Sequence, residues 1–461
     1  MDRKVAVVGM GGVFPTCATT EDFAEKIFTN ASLIRDWPEA LHYEKQLRSK
    51  VSGYIEPEEI GVKIKYSEIL EHYPEIYIDT LNRIPYENLL TADLGSVFAM
   101  LATQEAAKQA QWQEKDTQSE KTGVIIGSGS GGYSVIRSMC ENFFYLGKKS
   151  RQLTSHNVDR TMVYRDAANV SCLLKNKGIV EGLGSACACG LGNIGYAYRL
   201  VKHGYLDRCI AGGTEGTSIE TFVKFDAMQV LSRNFAPGES SRPFDKNRNG
   251  FVCSFGCGIV ALEELESAKS RGACILAVID GYFNNSDGSG NMFATSFEGQ
   301  TKLLEGLYQD YAKSNSQSAK NTTPDVIKVH GTSTPVGDIV ELMSVVNHFG
   351  PKGYHISAPK SQFGHMLGAA GAVEFIVAIL MLRQKKVAPC MNSFELSCEL
   401  EEVQKVDTWK GPKIPPNEFR NLIPIKTIEK DITSVVCLNY GFGGTNAAIR
   451  ISTFDSVKNG E

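Results

Sequence analysis

The sequence lacks the marks of several common classes of protein. Its 461 residues carry 48 lysines and arginines against 52 aspartates and glutamates, a formal net charge of −4. It therefore has no basic excess of the kind that gives nucleic-acid binders their affinity. No run of about 18 uncharged apolar residues occurs, which argues against a membrane span. The apolar run Val5–Val8 is shorter than the roughly 7–15 residues that a signal peptide needs. We expect a cytoplasmic protein that binds neither nucleic acid nor membrane.

Metal and nucleotide motifs are missing as well. The twelve cysteines include no CxxC pair and the histidines do not cluster near them, so we expect no metal site. No GxxxxGK[ST] loop exists. The cluster Gly9–Gly12 lacks the third glycine of a dinucleotide fingerprint, and Gly127–Gly132 is not followed by a strand ending in an acidic residue. Scattered cysteines in apolar runs indicate a reducing compartment, where a free thiol packs as a small hydrophobe.

Glycine, in contrast, is abundant. It accounts for 44 of 461 residues, above the typical share of about 7%. Because no nucleotide loop explains them, the glycine clusters predict tight turns and close backbone approaches, among them Gly212–Gly213 and Gly441–Gly444.

Apolar β-branched runs alternate with helical patterns along the chain. This alternation predicts an α/β fold with largely parallel, buried strands. The two parts of the chain on either side of Glu263–Gly272 show a similar order of elements, which suggests a duplicated core. The predicted strands are Val5–Val8, Val124–Ile126, Cys209–Ala211, Ile259–Leu262, Ile275–Ile279, Val326–Val329, His355–Ala358 and Val435–Leu438. The predicted helices are Glu21–Phe28, Leu94–Ala110, Asn193–His203, Phe297–Lys313, Ile339–Phe349 and Ala370–Arg383.

Three candidate catalytic side chains lie at turns of this pattern. Cys187 precedes a helix, where the helix dipole and free N–H groups stabilise a thiolate nucleophile. His330 and His365 each lie beside a glycine between a strand and a helix, at the strand ends where open α/β sheets bind ligands. Each feature alone is also compatible with a structural role. Their joint presence with Gly441–Gly444 favours a common site.

These blocks resemble the β-ketoacyl synthase family over almost the whole chain. The resemblance rests on four stretches: SACACG at Ser185–Gly190, HGTSTP at His330–Pro335, GHMLGAAGAVE at Gly364–Glu374 and GFGGTN at Gly441–Asn446. The resemblance implies a thiolase-like fold, with a duplicated α/β/α/β/α five-layer core. It implies an N-terminal half, 1–265, with the nucleophile and cap insertions, and a C-terminal half, 266–461, with both histidines.

The resemblance also assigns roles to residues. Cys187 matches the acyl-accepting nucleophile, whereas Cys189 falls where the family has a small packing residue. His330 and His365 match the two histidines of the Cys-His-His type. Lys360 matches the family lysine, and Glu341 matches its acidic partner. Thr332 and Thr334 match the residues that contact the phosphopantetheine arm. Phe442, with Gly443 beside it, matches the gating residue, whose N–H joins that of Cys187 in the oxyanion hole.

The implied activity is decarboxylative Claisen condensation. An acyl group on Cys187 would react with malonyl-acyl carrier protein to extend a fatty-acid or polyketide chain. No metal or redox cofactor is implied, because the phosphopantetheine arm arrives on the carrier protein. Implied partners are the acyl carrier protein and a second subunit, either a copy of this chain or a homologous chain-length-factor-like subunit. An acyltransferase with limited activity, or a chain-length or scaffold subunit, is the alternative.

Some positions depart from the family pattern. Ser130 stands where a bulkier apolar residue often closes the acyl pocket, so a longer or more polar chain could fit. Phe255, Cys257, Phe363 and Tyr440 are uncommon at their positions, and Asp36–Asn88 is long. Together these favour a specialised polyketide or polyene synthase over a housekeeping elongation enzyme.

Two related enzyme classes are disfavoured by the same motifs. A thiolase would present a second catalytic cysteine where this chain has Gly441–Gly444. An initiating synthase would have one histidine and one asparagine in place of His330 and His365. Retention of Cys187, both histidines and Lys360 argues against a catalytically silent subunit.

Incubation with acyl carrier protein thioesters should add one acyl group to the protein, because only Cys187 is assigned as a nucleophile. Intact-mass measurement should show a single adduct that disappears in Cys187→Ala. An adduct that survives this substitution, or that maps to Cys189, contradicts the assignment.

Overall fold

The computed structural model describes residues 3–17, 19–61, 63–65, 77–79, 84–315, 322–396 and 416–454. Its central feature is a ten-stranded sheet. We number these strands β1 to β10: Val5–Val13, Thr122–Gly127, Val180–Glu181, Arg208–Glu215, Gly256–Glu264, Ala277–Ser286, Val326–Lys328, His355–Ser357, Ser434–Gly441 and Thr445–Ser452.

Helices cover both faces of the sheet. In chain order, α1 to α16 are Thr20–Ile27, Pro38–His42, Tyr86–Leu90, Leu94–Gln109, Glu114–Thr117, Tyr133–Cys140, Asn157–Thr161, Arg165–Leu174, Cys189–Lys202, Ile219–Ala227, Leu265–Ser270, Phe297–Asn315, Gly337–Phe349, Lys360–Phe363, Ala370–Gln384 and Pro416–Leu422. Side chains cap several of them. The Asp93 carboxylate accepts from the N–H of Ser96 at 2.9 Å and fixes the start of α4.

The strand order repeats the same topology twice. Across the sheet the order is β8-β7-β9-β10-β6-β1-β5-β4-β2-β3. Counted outward from the middle of the sheet, each half contains its first, fifth, fourth, second and third strand, numbered in chain order within that half. The two halves meet where Val5 of β1 pairs antiparallel with Ile279 of β6. This repeat matches the duplicated core that the sequence predicts.

The strands are less parallel than the sequence predicts. Within each half the second strand pairs parallel with the third and fourth. The fourth–fifth and fifth–first pairs are antiparallel, as is the pair that joins the halves. The prediction is wrong because a strand covered on both faces is apolar throughout whatever its direction. Strand β10, which the sequence analysis missed, returns from β9 through the glycine turn Gly441–Gly444.

Five layers result from this arrangement. Helices α4 and α8 cover the outer face of the first half, and α12 and α13 cover the outer face of the second. Helices α9 and α15 contact each other and strands of both halves, so they form the middle layer. One helical stretch, Leu367–Gln384, is apolar and long enough to cross a membrane, but 89% of it is buried inside the protein as part of this layer.

Part of the segment Asp36–Asn88 packs onto the first half. Arg35–Asp36 pairs with Val51–Ser52, and the buried ring of Trp37 lies edge-on to Phe222 and Phe255. The unusual Phe255 therefore fills an aromatic cluster with this segment. Residues 62, 66–76 and 80–83 of the segment lie outside the described residues.

Close contact between α9 and α15 depends on glycine. A Cβ on Gly190 would lie 2.7 Å from the backbone nitrogen of Ala372, and one on Gly371 would lie 2.5 Å from that of Leu191. Both distances are below van der Waals contact, so a side chain at either position would separate the two helices.

Gly371→Ala should therefore lower the free energy of unfolding by about 1–3 kcal/mol, the usual cost of overpacking. Thermal unfolding measures this. Gly192→Ala is the matched control, because a Cβ there has only Ser185 Oγ nearby, at 3.3 Å. Alanine improves helix propensity, so the control should be as stable as the wild type or more so. Equal stability of Gly371→Ala and wild type would contradict the close contact.

Candidate active site

Cys187 lies in a strained turn between β3 and α9. It is the middle residue of a 3₁₀ turn, Ala186–Ala188, that leads into the helix. Ala186 holds a positive φ of +47°, a conformation that costs an alanine about 1–2 kcal/mol. A Cβ on Gly441 would lie 2.8 Å from the carbonyl oxygen of Ser185, so the β9–β10 turn packs directly against the turn of the cysteine.

The Cys187 thiol is nearly buried. Burial raises its pKa to about 12, whereas the charge of Lys360 and a hydrogen bond from the backbone N–H of Phe442 lower it. The resting group is therefore the thiol. The sequence analysis expected a stabilised thiolate, and this expectation is wrong for the resting site because burial outweighs the groups that favour the charge. Cys189 is fully buried beneath, where its thiol lies 3.0 Å from the Leu183 carbonyl oxygen.

Two imidazoles share the cavity with the thiol. The rings of His330 and His365 lie edge to face, with their centroids 5.1 Å apart. His330 follows β7. His365 is held by two backbone bonds, since its N–H donates to Val252 and its carbonyl accepts from Ser254, at 2.7 and 2.9 Å. The segment that leads into β5 thus fixes the backbone of His365, and the end of β7 fixes the position of His330.

The hydrogen bonds of these rings define their protonation. Nδ1 of His365 accepts from the Leu367 N–H at 3.3 Å. Nδ1 of His330 lies 3.2 Å from both Lys360 Nζ and Asn439 Nδ2, which can only donate. Burial, followed by the charge of Lys360, holds the pKa of both histidines well below the ordinary value. Each ring is therefore neutral at pH 7 and carries its proton on Nε2.

Lys360 is paired with a different carboxylate from the one expected. Its Nζ donates to Glu374 Oε1 at 2.6 Å and to the His330 carbonyl at 2.8 Å. The Glu341 carboxylate instead accepts from the N–H groups of His330 and Gly331, at 2.6 and 2.7 Å. The pairing of Lys360 with Glu341 is thus corrected to Glu374. Glu341 serves the backbone of the His330 turn, and burial raises its pKa to about 7.

A cavity of about 610 Å³ opens in front of these groups. Thr332 and Thr334 line it with their hydroxyl oxygens 3.0 Å apart. The ring of Phe442 stands edge-on to Phe293 at 5.4 Å. The residues of the cavity that the sequence predicts are Cys187, Thr332, Thr334, Glu341, His330, His365 and Phe442. Gly443 follows Phe442 with a positive φ of +86° and donates its N–H to the Met292 carbonyl.

Ser130 is not brought together with these residues. Its hydroxyl donates to Glu215 Oε1 at 2.7 Å, and it lines a small separate cavity beside Asp93. Glu215 also accepts from the N–H groups of Gly129 and Gly368. Serine at 130 therefore ties its loop to the β4 end, rather than enlarging the cavity in front of Cys187.

The sequence analysis missed three residues of the site. Glu374, Lys328 and Asn439 surround Lys360, and all three are fully buried. The available signals were a single acid in the apolar helix α15 and a lysine within the apolar strand β7. Among the described residues, no group of three or more His, Cys, Asp or Glu is placed to hold a metal ion.

Two family models match most of the chain. Residues 2–268 match the β-ketoacyl synthase N-terminal domain and residues 276–394 match the C-terminal domain. The chain belongs to the β-ketoacyl synthase family.

Curated relatives of this family cover between about four-fifths and nearly all of the chain. It is 34% identical over 450 residues to 3-oxoacyl-[acyl-carrier-protein] synthase 1 of Haemophilus influenzae, covering 97% of this chain and 98% of the relative. It is 33% identical to 3-oxoacyl-[acyl-carrier-protein] synthase 2 of Staphylococcus aureus strain N315, covering 78% and 81%.

Solved structures agree with the fold. A β-ketoacyl synthase from Burkholderia phymatum superposes with a TM-score of 0.81 at 28% identity, covering 98% of this chain and 100% of the other. The ishigamide ketosynthase/chain length factor superposes with a TM-score of 0.79 at 23% identity, again covering 98% and 100%, which supports the fold alone. The thiolase-like fold expected for a β-ketoacyl synthase is confirmed.

Glu374→Gln should destabilise this β-ketoacyl synthase strongly, because the substitution leaves two buried ammonium groups without a counter-charge. We expect a loss of about 3–5 kcal/mol in the free energy of unfolding, as for other broken buried pairs. Urea unfolding measures the change. The control is Glu298→Gln, which removes an exposed partner of Lys302 and should leave stability unaltered. Similar behaviour of the two variants would argue against the buried charge cluster.

Proposed function

We propose that the protein condenses an acyl group held on Cys187 with malonyl-acyl carrier protein, extending a fatty-acid or polyketide chain by two carbons and releasing CO2. The arrangement of two neutral imidazoles with Nε2–H donors beside a cysteine supports this most directly. Such a pair can stabilise an enolate oxygen, which a simple acyltransferase does not form. The curated relatives, named as 3-oxoacyl-[acyl-carrier-protein] synthases, support the same reaction.

The first step would be acyl transfer. The sulfur of Cys187 attacks the carbonyl carbon of an acyl thioester, and the thiol proton passes to the departing phosphopantetheine sulfur as its C–S bond breaks. The N–H groups of Cys187 and Phe442 would bind the tetrahedral oxyanion, a contribution of roughly 3–4 kcal/mol per donor. Because burial disfavours the free thiolate, proton loss would accompany the attack rather than precede it.

The second step would be decarboxylation. The C–C bond to the malonyl carboxylate breaks, CO2 leaves, and its bonding electrons form an enolate of the remaining thioester. The Nε2–H groups of His330 and His365 donate to the enolate oxygen. The enolate carbon then attacks the acyl carbonyl on Cys187 and a C–C bond forms. The bond from that carbonyl carbon to the cysteine sulfur breaks, and the sulfur takes up a proton from water. The product is a β-ketoacyl thioester.

The carrier protein would present its substrates through the cavity in front of Cys187. Thr332 and Thr334, which line this cavity, would hydrogen-bond the phosphopantetheine arm, and Phe442 with Gly443 would form the gate of the passage. No cofactor beyond that arm enters the proposed reaction. Three further predictions remain. They are assembly with a second subunit, either identical or chain-length-factor-like, a cytoplasmic location, and a boundary between the halves at residues 265 and 266.

His365→Ala tests the mechanism, since decarboxylation needs the enolate donor and acyl transfer does not. We expect CO2 release from malonyl-acyl carrier protein to fall about 100-fold or more, the usual effect of losing one donor to a developing oxyanion, while formation of the acyl-Cys187 adduct changes only a few-fold. A coupled CO2 assay and intact-mass kinetics measure the two steps.

His156→Ala provides the control, because His156 is a half-buried histidine whose Nδ1 lies 3.2 Å from Asp159, three residues further along the chain, and it does not line the cavity in front of Cys187. It should leave both rates unchanged. Equal loss of acylation and decarboxylation in His365→Ala would assign His365 a structural role and remove the main support for the proposed reaction.

A further inference from the structure

A second lysine is buried behind the histidines. Lys328 lies on β7, two residues before His330, and its side chain is fully buried. Its Nζ donates three hydrogen bonds, to Glu374 Oε2 at 2.9 Å, to the Leu438 carbonyl at 2.7 Å and to Asn439 Oδ1 at 2.9 Å. The ammonium group is thus fully coordinated by oxygen, and none of its bonds reaches the cavity.

This charge needs an explanation. The Glu374 carboxylate already pairs with Lys360 at 2.6 Å, so a second ammonium leaves the buried cluster with one net positive charge from these three groups. An apolar residue would continue the pattern of β7 and avoid the unfavourable desolvation of a charge. An apolar residue could not, however, donate hydrogen bonds to the three oxygen atoms, one of which belongs to Asn439.

The amide of Asn439 connects Lys328 to His330. Its Nδ2 donates to Glu374 Oε2 at 2.8 Å and lies 3.2 Å from His330 Nδ1. A flipped amide would turn its oxygen toward the carboxylate and the Nδ1 lone pair, where it would be repelled. The Lys328 ammonium can only donate, so it holds the amide oxygen on its own side and leaves the N–H groups for Glu374 and His330.

We propose that Lys328 is a positioning residue, an internal cation that orients Asn439 and Glu374 so that His330 presents its Nε2–H to the reacting thioester. This inference rests on the proposed condensation reaction. Lys328 touches no substrate and acts through Asn439, as groups behind a metal-bound histidine act through that ligand. The binding site it fills consists of a carboxylate, a backbone carbonyl and an amide oxygen, the kinds of oxygen that also bind potassium.

Two substitutions test the inference. Lys328→Met keeps the length of the side chain and removes the charge, so it should fold but release CO2 from malonyl-acyl carrier protein about 10–100-fold more slowly, the loss typical for such orienting groups. Lys328→Ala opens the space. Its CO2 release should be equally slow in tetramethylammonium buffer and should recover when potassium or methylammonium is added, whereas Lys328→Met should not recover. Acylation of Cys187 should stay within a few-fold of wild type in both variants.

The matched control is Lys202→Ala. Lys202 is another buried lysine, 3.0 Å from Asp310 and 2.8 Å from Ser314, and its loss should leave CO2 release unchanged. Unchanged CO2 release in Lys328→Met, or slow release in Lys328→Ala that no cation restores, would overturn the inference.

A wild type that releases no CO2 would contradict the proposed reaction instead. In that case a crystal structure of Lys328→Ala grown with rubidium still tests the inference, because it shows whether a cation occupies the vacated space and how the Asn439 amide is oriented. An anomalous peak between Glu374, Leu438 and Asn439, with the Asn439 amide still facing His330, supports it. An empty space with a rotated amide refutes it.

Discussion

The Glu374 carboxylate between two buried ammonium groups is the interaction on which the rest of the site depends. One oxygen binds Lys360, which in turn holds the His330 carbonyl, and the other binds Lys328 and Asn439. Burial and these positive charges keep both histidines neutral. In the proposed reaction a neutral ring would donate its Nε2–H to the developing enolate without being acidic enough to protonate it. The same cluster therefore joins α15, β7 and β9 and sets the protonation of the reacting groups.

Backbone geometry determines the surroundings of Cys187, the proposed nucleophile, more than charge does. Burial raises the pKa of the Cys187 thiol despite the nearby lysine. The sulfur is held beside the Phe442 N–H on a strained turn. That turn packs against Gly441, where a side chain would clash with it. In the proposed reaction, donors fixed in this way would act on the oxyanion of the transition state without reorganisation, so the turn would matter for the attack itself rather than for forming a thiolate in advance.

The sequence predicts most of the helices and strands well, and it predicts residues that the fold brings to one cavity, among them Cys187, His330 and His365. Strands such as Val124–Ile126 and helices such as Ala370–Arg383 were placed within a few residues, because apolar runs and helical periodicity are local signals. Strand direction was not predictable from burial alone. The partner of Lys360 was misassigned because Glu341 and Glu374 both lie near it only after folding. Lys328 and Asn439 were missed because a lone lysine in a strand usually indicates an exposed position.

The repeated topology gives the site a hidden symmetry. Cys187 follows the third strand of the first half and precedes the middle-layer helix α9, whereas His365 follows the third strand of the second half and precedes α15. Cys187 and His365, the proposed nucleophile and one proposed enolate donor, thus occupy equivalent places in two copies of one architecture. A half-chain paired with a copy of itself would bring two identical turns face to face at this point. The two equivalent turns carry different side chains, a thiol in the first half and an imidazole in the second, so the repeated architecture encloses an asymmetric site.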